Sequence, residues 1–149
     1  MEGVALRSIY CRICLLTALA ASCVSASDRA PARLYEVTTE TGLPHLEENL
    51  RYTVTRDQRC LARDDLGSAF PMLQHPSLAG CELREESQRD DTIFYVLACE
   101  GAPGTTGSAT WRIGKHVIRG TLDVKLGGKN MTFYQRVTGT LLGECSSVR

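Results

Sequence analysis

Residues 107–141 read GSATWRIGKHVIRGTLDVKLGGKNMTFYQRVTGTL. Apolar and polar side chains alternate through them with a period of two, the signature of half-buried strands. Ala109, Trp111 and Ile113 oppose Ser108, Thr110 and Arg112. Ile118, Gly120, Leu122, Val124 and Leu126 oppose Arg119, Thr121, Asp123 and Lys125, and Met131, Phe133, Gln135, Val137, Gly139 and Leu141 continue the series. A loop at Gly127–Asn130 pairs Leu126 with Met131, hence Val124 with Phe133 and Gly120 with Val137. A loop at Gly114–Val117 pairs Ile113 with Ile118, which sets the Trp111 indole opposite Gly120. Both registers put the apolar residues on one face, whereas a one-residue slip would expose them all.

Working outward, the same alternation predicts strands at Leu34–Thr41, Leu50–Thr55, Cys81–Ser87 and Thr92–Glu100. Ala62–Ser77 breaks it: Asp64-Asp65-Leu66 starts a helical turn, and Gly67, Pro71 and Pro76 keep any helix short. The expected fold is all-β, an antiparallel up-and-down meander of about 7–8 strands in a small barrel or sandwich, with one short helical segment and two disulfides.

The N-terminus predicts export. Arg7 and Arg12 precede or begin the uncharged run Ile13–Ala21, and the small residues that follow end at Val24-Ser25-Ala26. The nine-residue run spans only about 14 Å as a helix, too short to cross a bilayer. Residues 1–26 are therefore read as a cleaved signal peptide, 27–32 as a short flexible N-terminus, 33–146 as one β domain and 147–149 as a tail. Lipid attachment at Cys23 is the less favoured route, because Ala20 stands where a larger apolar residue is usual. The expected location is periplasmic, with no transmembrane segment in the mature form.

Cleavage removes three of the seven cysteines and leaves Cys60, Cys81, Cys99 and Cys145. Their wide spacing suits disulfides better than a zinc site, which wants close pairs. Three pairings are possible. Cys81 and Cys99 lie symmetrically about Asp90, so a hairpin turning there favours Cys81–Cys99 and leaves Cys60–Cys145.

The 149 residues carry 17 basic and 17 acidic side chains; cleavage leaves 15 against 16. Such a balance excludes a nucleic-acid binder that neutralises phosphates broadly. No nucleophile elbow, phosphate loop or zinc helix motif occurs, so neither catalytic residue, metal ligand nor cofactor is assigned. His45, His75 and His116 fall in predicted loops, and Asn130-Met131-Thr132 suits a tight turn. Trp111, Leu122, Val124 and Phe133 are expected either to fill the core or to face an apolar ligand enclosed by the sheet.

Several landmarks resemble a family of exported bacterial proteins, the domain-of-unknown-function family 3617. They are Tyr35-Glu36-Val37-Thr38, Cys60-Leu61, Cys81, Cys99-Glu100-Gly101 and the closing Gly139–Cys145. The resemblance covers residues 33–146 and implies an exported β-rich domain without a catalytic set. Together the readings predict a non-enzymatic binding module for a small or lipid-like apolar ligand, or alternatively a structural or protein-interaction module of the cell envelope.

Overall fold

The computed structural model describes residues 30–48, 51–127 and 131–145. The signal-like segment, Cys23, Asn130 and the 147–149 tail lie outside these residues. Seven strands form: β1 Arg33–Gly42, β2 Tyr52–Leu61, β3 Cys81–Arg89, β4 Thr92–Cys99, β5 Thr106–Ile113, β6 Val117–Leu126 and β7 Met131–Glu144. They make one antiparallel sheet in the order β2-β1-β7-β6-β5-β4-β3. Five successive strands thus run as a meander, and the β1–β2 hairpin joins it through β1 against β7.

The registers of the central hairpins are those expected from alternation. Val124 pairs with Phe133, Leu126 with Met131 and Gly120 with Val137. Ile113 pairs with Ile118 and Trp111 with Gly120. A side chain at Gly120 would meet the indole: an added Cβ lies 2.7 Å from Trp111 Cε2 and Cζ2. Gly120→Ala should therefore destabilise the domain by about 1–3 kcal/mol through overpacking. A melting temperature unchanged in that variant would mean that Trp111 does not lie over Gly120.

The β3–β4 hairpin shows how local irregularity sets disulfide geometry. Asp90 occupies the left-handed region (φ 51°) in the tight turn, a conformation Asp tolerates better than most residues. Arg89 pairs with Thr92 and Ser87 with Phe94, but beyond a bulge Glu85 pairs with Tyr95 and Cys81 with Cys99. The bulge shifts the pairing by one residue and brings the two cysteines directly opposite. Both bridges, Cys60–Cys145 and Cys81–Cys99, are formed.

Two details depart from the sequence reading. The strand expected at Leu50–Thr55 runs from Tyr52 to Leu61. Its apolar residues Tyr52 and Val54 point outward and are half exposed. Pairing with β1 decides this: buried Val37 faces Asp57 and buried Thr39 faces Thr55, so the odd-numbered residues of β2 share the inner side. The irregular segment is also longer than expected. It contains three 3-10 helices, Arg63–Ser68, Pro71–Gln74 and Pro76–Leu78, the second and third each beginning at a proline that prevents a continuous helix.

This segment, residues 62–79, is a plug. Leu66, Phe70 and Leu78 are buried with Val37, Ile93, Trp111, Leu122 and Val137 in one apolar core. The Phe70 ring lies 5.2 Å from that of Trp111, tilted by 45°. Polar contacts fasten it to the sheet: Arg59 Nη1 donates to the Ala69 carbonyl (3.2 Å) and Nη2 to Thr39 Oγ1 (3.1 Å). Met72 N–H donates to Gln135 Oε1 (3.1 Å), whose Nε2 donates to Thr41 Oγ1 (2.8 Å). These bonds account for Thr39 and Gln135, the two buried polar side chains among the described residues. The edge strands β2 and β3 do not pair with each other, but both touch the plug. The fold is a single open sheet whose inner face is stoppered by its own chain.

Candidate binding cavity

Strand direction defines two ends of the sheet. Arg33, Leu61, Ile113 and Glu144 mark one, here the proximal end; Gly42, Leu126 and Met131 mark the other, the distal end. The plug crosses from Ala62 at the proximal end to Leu78 near the distal end. Cys60–Cys145 ties the chain just before the plug, and Cys81–Cys99 ties it just after.

Trp111, Leu122, Val124 and Phe133 are at most 4% exposed and belong to the packed core. Phe133 also borders a distal cavity, described below. With Phe70 and Leu78 against them, the space a ligand would need at the centre of the inner face is taken by protein.

Space remains elsewhere. A cleft of about 460 Å³ lies between the plug and β3. Asp64, Asp65, Glu82 and Glu85 line it, a poor seat for an apolar molecule or an anion. Tyr95 borders this cleft. Its burial, followed by the nearby Glu85 carboxylate, holds the phenol above its ordinary value of 10.0. Among the described residues, no group of three His, Cys, Asp or Glu is placed to hold a metal ion.

The proximal cavity has different chemistry. It encloses about 310 Å³, and Tyr35, Leu61, Leu66, Ile113 and Ile118 supply its apolar wall. Arg33, Arg63 and Lys115 stand around it with no acidic residue in its lining. All three are exposed, and none makes a salt bridge among the described residues. The wall is assembled from four places: β1 brings Tyr35, the end of β2 brings Leu61, the plug brings Leu66, and the β5–β6 turn brings Ile113 and Ile118. Gly139 leaves room beside Tyr35, whose Cδ1 would lie 3.3 Å from an added Cβ there. An apolar wall with convergent charges at its mouth is the usual construction of a small-molecule seat.

Sequence reasoning did not assign this cavity. The Ile113–Ile118 turn is legible in the alternation, and so is Lys115 at its tip. What joins them to Arg33 and Leu61 is the pairing of β1 with β7 and β2. These are long-range contacts that no local pattern announces. No family model, curated protein or solved structure matches the chain.

Proposed function

We propose that the protein is an exported, non-enzymatic binding module for a small lipid-like ligand, held in the proximal cavity. The observation that carries this reading is the apolar-walled opening of about 310 Å³ in a domain whose sheet is otherwise stoppered. That volume lies at the lower end of ordinary ligand pockets, roughly 300–1,000 Å³. The three cations at its mouth favour a ligand with an acidic head over a neutral one. Export to the periplasm is supported by the signal-like first 26 residues and by two disulfides, which persist in oxidising compartments.

The envelope-interaction reading draws on a different feature. Among the described residues neither edge strand, β2 or β3, pairs with a further strand, and β2 displays Tyr52 and Val54 on its outer side. A free edge is a template for strand addition by a partner. Native mass spectrometry of protein recovered from its own compartment separates the two. A retained acidic amphiphile supports the binding reading; bare protein accompanied by a second polypeptide overturns it in favour of the other.

A further inference from the structure

The distal cavity, at the opposite end of the sheet from the proposed ligand seat, has a composition that the core does not require. It encloses about 190 Å³ and is bordered by Met72, Met131, His45 and His75. The chain has three methionines and three histidines, so every methionine except Met1 and all histidines except His116 meet here. They arrive from three separate segments: His45 from the β1–β2 connection, Met72 and His75 from the plug, and Met131 from the start of β7. Leu43, Leu78, Leu126 and Phe133 make up most of the remaining wall.

From this convergence we infer that the distal cavity is a binding site for a soft monovalent cation, copper(I) or its close chemical analogue silver(I). Thioether sulfur is a weak ligand for hard ions and a good one for copper(I). No carboxylate or cysteine lines the cavity, which removes the oxygen donors that calcium and magnesium use and leaves zinc two imidazoles, short of the four ligands of a structural site. Its apolar wall and neutral donors also favour one positive charge over two, since each unneutralised charge is costly to bury.

Hydrogen bonding distinguishes the two imidazoles. His45 Nδ1 lies 3.3 Å from the Thr132 carbonyl. A carbonyl only accepts, so Nδ1 carries the hydrogen and Nε2 keeps its lone pair for a metal. This is the arrangement that orients most metal-binding histidines. His75 Nδ1 instead accepts the Ser77 N–H at 3.2 Å, which in a neutral ring leaves the hydrogen on Nε2. The proposed ligand set is therefore Met72 Sδ, Met131 Sδ and His45 Nε2, and His75, whose Nδ1 is taken by Ser77, is left out of it.

The site is independent of the proximal cavity and survives if the amphiphile reading fails. Silver(I) is the probe because it needs no reductant, so both disulfides stay intact. The mature, oxidised protein in halide-free buffer is titrated while the methionine methyl signals are followed by carbon–proton correlation spectroscopy. The expected result is saturation at one equivalent, with Met72 and Met131 methyls shifting together and no response to zinc. Met72→Leu, Met131→Leu and His45→Gln should each weaken binding by about tenfold or more. The leucine variants keep the apolar fill, and retained thermal unfolding shows that they fold. Methyl signals unmoved by silver, or wild-type affinity in the Met72→Leu/Met131→Leu double variant, would overturn the inference.

Discussion

Replacing Cys60 and Cys145 together by serine is expected to lower the unfolding free energy by about 4.5 kcal/mol. The bridge joins residues 85 apart in sequence, and the loop-entropy relation gives that cost for freeing so long a loop in the unfolded chain. The Cys81–Cys99 bridge closes only 18 residues, and its removal should cost about 3 kcal/mol. Structure reinforces the order. Cys81 and Cys99 sit in a hairpin that stays paired on both sides of the bridge, with Glu100 N–H donating to the Gly80 carbonyl at 2.8 Å. Cys60–Cys145 instead links β2 to the end of β7, strands separated in the sheet by β1. Against a typical total of about 5–15 kcal/mol, the larger loss is a substantial share of the domain's stability. Urea titration of the two double-serine variants checks it: the Cys60/Cys145 variant should have the lower unfolding free energy. Equal stabilities, or the reverse order, would contradict the loop-length account.

Phe70→Ala should cost about 3–5 kcal/mol and disturb the plug locally. Phe70 is fully buried and packs on Trp111, the chain's single tryptophan. Truncation removes the ring and leaves a void that neighbouring side chains fill only in part. Because there is one tryptophan, its emission reports this contact without competing signals. The emission should move to the red in the folded variant as the indole gains polar surroundings, and the urea midpoint should fall. An unchanged spectrum with less than about 1 kcal/mol lost would show that the segment rests loosely on the sheet.

The parts of this fold that were legible in the sequence are those set by neighbours in the chain. Strands β5, β6 and β7 follow from alternation, and two short loops then fix which residues face one another. The Cys81–Cys99 pairing followed from hairpin symmetry, although the bulge near Glu86 that makes the symmetry work left no visible signal. Strand β2 was harder. Tyr52 and Val54 look like core residues by alternation, yet pairing with β1 turns them outward and the inner side carries Thr55, Asp57 and Arg59. Arg59 is used there as a clasp on the plug, a role that depends on Ala69 and Thr39 arriving from elsewhere.

The plug explains why the candidate site moved. A one-sided apolar sheet face is compatible with a ligand or with more protein, and the sequence pattern of Trp111, Leu122, Val124 and Phe133 is the same in both cases. Residues 62–79 carry apolar side chains without a clean period, so nothing in them marks a segment laid across a sheet. Once Leu66, Phe70 and Leu78 occupy the centre, cavities remain at the two ends, where strands, turns and plug fail to close on one another.

Under the proposed function a lipid-like acid binds at the proximal end while the stoppered core stays closed. The most direct test of that function is a titration of the mature, disulfide-bonded protein with decanoate, followed by methyl carbon–proton correlation spectroscopy. Saturable shifts are expected at Leu61, Leu66, Ile113 and Ile118, with Leu122 and Val124 unmoved. Saturable shifts centred on Leu122 and Val124, or no saturable response at any of these methyls, would contradict it.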